Sequence, residues 1–431
     1  MTERKIQIDV PSLARVEGEG ALHLKIEQGK LQHLQFKIYE PPRFFEKFLE
    51  GRHFSEVPDI VARICGICPV AYQVSAVNAL ESLFQVQLTP WIKDMRRLLY
   101  LGEWLQSHGL HIHLLALPDY FGHNSALELA GEYPDEVRRG FAIQDAGNRI
   151  MRFLGGRSVH PVGIKVGGFH KAPSVAEAQA LKKYINEILP QALAMVEWLA
   201  EVEIPDHRQA FNSVSLTANR YPLGEGRLVS SSGLNIAEDE YETYFAESQS
   251  PHSTALWSHL NGQNYLVGPL ARINLNHQRL PDFLQQLLRK LGSPFPSQNM
   301  FHSMLARGVE ICFALDEAIK LLEKYKSPTK SAVEVNPKAG TGYGWSEAPR
   351  GLLWHRYSVN EAGLITEAKI VPPTSQNQAR IEQDLLYSLS EFGLDQPDDL
   401  LRLHSEKVIR NYDPCISCAT HFLKLTTERK P

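Results

Sequence analysis

Cysteine is scarce in this chain, with 5 among 431 residues. So low a count excludes a disulfide-stapled scaffold and leaves metal or redox chemistry as the use to look for. An excess of either charge is also lacking: 45 Lys and Arg face 49 Asp and Glu, a formal net charge of −4. No Lys/Arg run or basic stripe stands out, which argues against nucleic acid as a partner. No stretch approaches the roughly 20 apolar residues of a membrane span. The opening residues Met1–Lys5 lack the apolar core of a secretory signal. The chain is therefore expected to be cytoplasmic, with no membrane span. Repeats, heptads, low-complexity runs and linkers are missing too, so one interwoven domain is expected. With 43% hydrophobic residues, a chain this long can bury a large core.

Four of the five cysteines form two pairs near opposite ends: Cys65-Gly66-Ile67-Cys68 and Cys415-Ile416-Ser417-Cys418. A fold that joins them would place four thiolates around one centre, a donor set suited to soft transition metals rather than magnesium or calcium. On spacing alone, structural zinc and a reactive metal site are equally good readings. The neighbours favour the second. Arg63 stands just before the first pair, Asp413-Pro414 before the second, and His421 three residues after it. A structural zinc knuckle has no use for a guanidinium, an acid and an extra imidazole beside its sulfurs. Cys312, in the apolar run Val309–Leu315, reads as a small buried hydrophobe.

The coarse pattern is α+β and dominated by helices. Ile6–Val10, Ala21–Glu27 and Leu31–Tyr39 alternate as strands, with Gln28-Gly29 a turn. From Val70 to Phe84 the apolar spacing is helical, which puts the first Cys pair at a helix N-terminus, where thiolates are favoured. Ile92–Leu117 reads as one long helix and Gly155–Gly168 as a glycine-rich loop. Ser174 caps a helix to about Val202, with Glu177 completing a capping box. Residues 208–275 look like strands and loops. Helices follow at Pro281–Leu291, Ser297–Lys324 and Ala379–Phe392, with a hairpin of Gly351–Val359 and Gly363–Val371. Gly340–Trp345 has Trp345 where a dinucleotide loop needs its third glycine, and is expected to be a flexible loop near the site. His108, His111 and His113 do not share one helical face for a metal and are expected in the core or at its rim.

The motifs carry a resemblance. Arg63–Cys68 and Asp413–His421 resemble the two signature motifs of nickel–iron hydrogenase large subunits. Arg15-Val16-Glu17-Gly18, Phe45–Arg52 and Glu347-Ala348-Pro349-Arg350-Gly351 resemble three further family elements, in the expected order. The resemblance implies the large-subunit fold, with central long helices and small peripheral sheets. It implies that Cys65, Cys68, Cys415 and Cys418 hold nickel, and that Cys68 and Cys418 bridge to an iron carrying cyanide and carbon monoxide. Glu17 would relay protons from the terminal thiolate of Cys415. Arg350 would stand over the diatomic ligands, and the Pro372-Pro373-Thr374-Ser375 stretch would be a loop beside them. Glu46, the Ile370 carbonyl and His421 would hold a second metal, magnesium or iron. Without the resemblance, Glu17 would be read as a surface salt bridge with Arg15, and Arg350 as a structural ion pair.

Family precursors are cut after this histidine, so the resemblance makes 1–421 the domain and Phe422–Pro431 a processing tail. The tail carries Lys424, Arg429 and Lys430 against Glu428, so its removal would take the net charge to about −6. Tyr72 stands where many members have a histidine, and Ser107 where uptake enzymes often have an acid. Both features make the chain most similar to cytoplasmic bidirectional, NAD(P)-linked enzymes of the sulfhydrogenase kind. Once four cysteines are used, one remains, too few for an iron–sulfur cluster. An iron–sulfur small subunit is therefore expected, with NAD(P)/flavin diaphorase subunits beyond it. A maturation endopeptidase and nickel chaperones follow from the family. A complex I-like relative or a structural-zinc scaffold is the alternative; the four retained cysteines and the tail speak against the first, and metal content would separate the second.

Overall fold

The computed structural model describes residues 5–420; His421 and the tail lie outside it. Seven longer helices organise the fold: α1 (Pro69–Phe84), α2 (Pro90–Leu110), α3 (Pro134–Gly155), α4 (Val175–Glu201), α5 (Ser303–Glu323), α6 (Pro373–Phe392) and α7 (Asp398–Asn411). Helices α2, α3, α4 and α5 pack together as a central bundle. Strands β1 (Lys5–Val10), β2 (Gly20–Glu27) and β3 (Lys30–Ile38) form an antiparallel sheet in that order. Strands β4 (Gly340–Ala348), β5 (Gly351–Val359) and β6 (Ile365–Val371) form another, and α1 lies across it.

Most expected elements are present. The Ser174–Glu177 capping box opens α4 as its sequence requires. Residues 208–275 hold short strands, as expected, and two short α-helices, Tyr241–Tyr244 and Pro269–Asn276. The expected helix Ile92–Leu117 changes character: it is α-helical only to Leu110 and then widens into a π turn, His111–Ala116. Helices α3 and α7 are additional to the expectation, and α6 begins at Pro373 rather than Ala379. The Pro372–Ser375 stretch is thus the start of a helix and not a loop.

Gly340–Trp345 is likewise no flexible loop but the first part of β4. Its glycines are explained by contact. A Cβ on Gly342 would sit 2.3 Å from the Ala79 carbonyl oxygen, and one on Gly344 2.4 Å from the Ala79 nitrogen. The strand touches the backbone of α1, and only glycine permits that approach.

Helices α2 and α3 also meet on small residues. A Cβ on Gly147 would lie 2.5 Å from both the Gln106 nitrogen and the Gly102 oxygen. Gly147→Ala gains about 1 kcal/mol of helix propensity. It also forces two backbones apart, and overpacking of about 1–3 kcal/mol outweighs the gain. The variant is expected to unfold at lower denaturant concentration, read by circular dichroism.

Candidate metal centre

The two Cys pairs meet. Cys68 is the residue just before α1, and Cys415 just before the turn Ile416–Ala419. Cys65 Sγ lies 3.2 Å from Cys415 Sγ, Cys68 Sγ 3.3 Å from Cys418 Sγ, and Cys415 Sγ 2.8 Å from Cys418 Sγ. All four sulfurs fall within 4.8 Å of one another, all are buried, and none is in a disulfide. Four converging cysteine sulfurs, brought together from segments 350 residues apart, fit a soft metal. Arg43 ties the pairs together: its guanidinium donates to the Ile64 carbonyl at 2.6 Å and also to the Ser417 carbonyl.

Glu17 is held against the second pair. Its segment bridges Cys415 in parallel, with the Ile416 N–H donating to the Glu17 carbonyl at 3.0 Å. The Cys415 thiol donates to Glu17 Oε2 at 3.1 Å, and the Ser417 N–H reaches the same oxygen at 3.1 Å. Burial, and then the Cys65 thiolate, raise the Glu17 pKa above the ordinary carboxylate value. Arg15 is not its partner; it pairs with Asp119 and the Leu115 carbonyl. Arg410 joins that knot through Asp119, at 2.7 and 2.9 Å, and through the Ala14 carbonyl at 3.1 Å. The alternative reading of Glu17 as a salt-bridge partner of Arg15 is therefore not what the structure holds.

Arg350 lies in the two-residue turn between β4 and β5, 2% exposed. One nitrogen donates to Asp413 Oδ1 at 2.9 Å; Nε and the other terminal nitrogen have no protein partner. Burial opposes its charge, but Asp413 and the thiolates of Cys415, Cys68 and Cys65 hold its pKa well above the ordinary arginine value. For Asp413, burial is likewise outweighed, by Arg350, His111 and Arg307, and the pKa is lowered. Two unpaired donors on a buried guanidinium beside four sulfurs suit small ligands on a bound metal. Thr374 Oγ1, on the first turn of α6, accepts the Cys415 N–H at 2.9 Å, and Pro372 precedes that helix, buried.

Of the second expected site, Glu46 and Ile370 come together: the Ile370 N–H donates to Glu46 Oε1 at 2.7 Å. His421 lies outside the described residues. Tyr72 is buried, its hydroxyl unpartnered, and burial together with Cys418 and Cys68 hold its pKa well above the usual phenol value.

Several residues here were missed by sequence reasoning: Arg43, Asp119, Arg272, Glu310 and Arg410. The available signal was charge inside apolar runs, since an unpaired charge is almost never fully buried. Arg272 is 0% exposed and donates bidentately to Glu310 at 2.7 and 2.8 Å. It also donates to the carbonyls of Ala348, at 2.8 Å, and Pro349, at 3.1 Å, which lead into Arg350. Against its burial, Arg272 lowers the Glu310 pKa to about 2. His108, at 2.9 Å, and the Tyr221 hydroxyl, which donates at 2.8 Å, are further partners of Glu310, and burial lowers the His108 pKa to about 4. The histidines are core residues, as expected. Arg272→Met leaves the buried Glu310 without a cationic partner, held only by His108 and Tyr221, and should cost about 3–5 kcal/mol. Thermal unfolding of the metal-free chain measures this.

Comparison with known proteins agrees with the site. The family model of nickel-dependent hydrogenases matches residues 43–137 and 237–421. Sulfhydrogenase 2 subunit alpha of Pyrococcus furiosus is 31% identical, over 97% of this chain and 100% of its own length. Sulfhydrogenase 1 subunit alpha of the same organism is 32% identical, over 97% and 99%. A crystal structure of an NAD+-reducing NiFe-hydrogenase in the H2-reduced state is 28% identical with a TM-score of 0.89, over 96% of this chain and 99% of that one. The chain belongs to the nickel-dependent hydrogenase family and has the large-subunit fold. It is an oxidoreductase acting on hydrogen, of a family that depends on nickel, and its four converging cysteines form a group able to hold a metal ion.

Proposed function

We propose that this chain is the hydrogen-activating subunit of a cytoplasmic, bidirectional nickel–iron hydrogenase that exchanges electrons with NAD(P) through partner subunits. The observation that carries the reading is the contact between Cys415 Sγ and Glu17 Oε2 at 3.1 Å, inside a nest of four buried thiolates. Cys65 and Cys415 would hold nickel alone, and Cys68 and Cys418 would hold both nickel and iron. Arg350, Pro372 and Thr374 would be the residues beside the cyanide and carbon monoxide that the iron would carry. Glu46, Ile370 and His421 would hold magnesium or iron, and the segment after His421 would be removed on maturation.

The bound metals supply Lewis acidity, which lowers the cost of splitting dihydrogen. The protein supplies the base. Cys415 Sγ takes the proton and Glu17 carries it away, its raised pKa bringing it nearer to working pH. The Ser417 N–H and the parallel bridge keep its carboxylate at the sulfur. Arg350 holds positive charge in a dry pocket, where it acts most strongly.

Electrons need another route, because Cys312 is the one cysteine left. An iron–sulfur subunit fits the face beside Gly66, where Val159 is 54% and Val162 40% exposed and a Cβ on Gly66 would touch Val159. NAD(P) as the distal partner is supported by similarity to the NAD+-reducing structure and the sulfhydrogenase subunits. The test is metal analysis with infrared spectroscopy of the purified complex, on chain shown by mass spectrometry to end at His421. Nickel, iron and cyanide and carbonyl bands are expected. Zinc alone, with no such bands, overturns the reading in favour of a scaffold. Reduction of NAD or NADP by hydrogen then tests the acceptor.

A further inference from the structure

Glu103 lies on α2, is 0% exposed, and has no part in the chemistry above. Its Oε2 accepts the Val70 N–H at 2.5 Å and its Oε1 the Ala71 N–H at 3.0 Å. Those two donors belong to the first turn of α1, the helix that begins directly after Cys68. A free helix N-terminus is electropositive and lowers the pKa of thiols beside it. Here a carboxylate from another helix occupies the donors instead. A serine or threonine at the cap would satisfy them without desolvating an acid. No acceptor for an acid proton bonds either oxygen of Glu103. Both oxygens receiving N–H groups is the pattern of an ionised carboxylate. Burial, opposed by these two bonds, raises its pKa well above the ordinary value, and the Cys65 thiolate adds to the rise. Arg350 acts in the other direction, as any cation bound by the sulfurs would.

We propose that Glu103 is a positioning residue that fixes the first turn of α1 under Cys68 and, kept ionised by its two N–H donors and the positive charge of Arg350, would raise the electron density of a metal centre held by Cys65 and Cys68. This rests on the nickel–iron reading above. Glu103→Gln keeps the shape and removes the charge. Glu103→Asp keeps the charge and withdraws it by one methylene.

The experiment has two readouts. Amide hydrogen exchange is measured on the metal-free full chain, and infrared bands with the nickel reduction potential on the holoenzyme complex. In Glu103→Gln the Val70 and Ala71 amides should exchange on the order of tenfold faster, the size of one lost hydrogen bond. The carbonyl and cyanide bands should move to higher wavenumber and the potential to more positive values, because a negative charge has gone. Glu103→Asp should show the faster exchange but keep the bands near their wild-type positions. If the Gln variant fails to assemble, the Asp variant decides through exchange alone: unchanged Val70 and Ala71 amides would refute the proposal. Bands and potential unmoved in Glu103→Gln would overturn the electrostatic part, leaving a cap. Absence of the bands from the wild-type complex would instead refute the nickel–iron reading.

Discussion

Cys415→Ser should yield a folded chain that retains no nickel and shows no measurable hydrogen turnover. Serine matches cysteine in shape, so the turn at Ile416–Ala419 and the Thr374 contact to the backbone N–H remain. Its hydroxyl does not ionise near neutrality and is a hard donor where a soft metal wants sulfur. The change also removes the sulfur that stands 3.1 Å from Glu17, so a ligand and a proton acceptor are lost together. Circular dichroism should be unchanged, while nickel per chain falls to background by elemental analysis. Full nickel retention would mean that Cys415 is no ligand.

Glu17→Gln separates those two losses. The amide can still accept the Ser417 N–H, and the four sulfurs are untouched. Nickel content should therefore equal wild type. What is lost is the capacity to take a proton from Cys415, and removal of a positioned acid–base group lowers rate by ~10²–10⁴-fold. The telling measurement is hydrogen–deuterium exchange of the gas, which needs no electron acceptor. A deficit there as large as in dye reduction places the defect at proton movement. A normal exchange rate would remove Glu17 from the route.

Residues that chemistry forces into a fixed spacing were legible in the sequence. The two Cys pairs and their neighbour Asp413 were legible in this way, Arg350 and Glu17 only through the family resemblance of their motifs, and the structure gathers them within one neighbourhood. Most strands and capped helices were legible too, because alternation and capping are local signals. The supports were not. Arg43 reaches Ser417 across nearly the whole chain, and Arg15, Asp119 and Arg410 meet from three distant segments. No spacing rule encodes such pairings. Gly340–Trp345 failed for a related reason: its glycines answer to the backbone of α1, which local reading cannot see. Helix α3 was missed because its buried face rests partly on glycines, Gly140 and Gly147, which carry no apolar periodicity.

One face of α2 draws the supports together. Glu103, Trp104 and His108, with His111 at the start of the π turn that continues the helix, recur at helical spacing, and each serves a different part of the site. Glu103 holds the start of α1. Trp104 donates to the Glu347 carbonyl at 2.8 Å, and His108 braces the Glu310–Arg272 pair behind the Arg350 turn. His111 donates to the Arg410 carbonyl at 2.8 Å, at the end of α7. The widening to a π turn follows at His111, where such distortions often mark functional regions.

The union of Cys65 with Cys415, 350 residues apart, has a topological consequence. Once one metal centre is gripped by both pairs, the linear polymer becomes a covalent ring closed by coordination bonds. A ring of that size forfeits chain entropy when it unravels, worth ~6 kcal/mol on the loop-closure formula for cross-links. A single protease cut inside the ring would leave both fragments tethered, whereas the same cut in the metal-free chain would let them part.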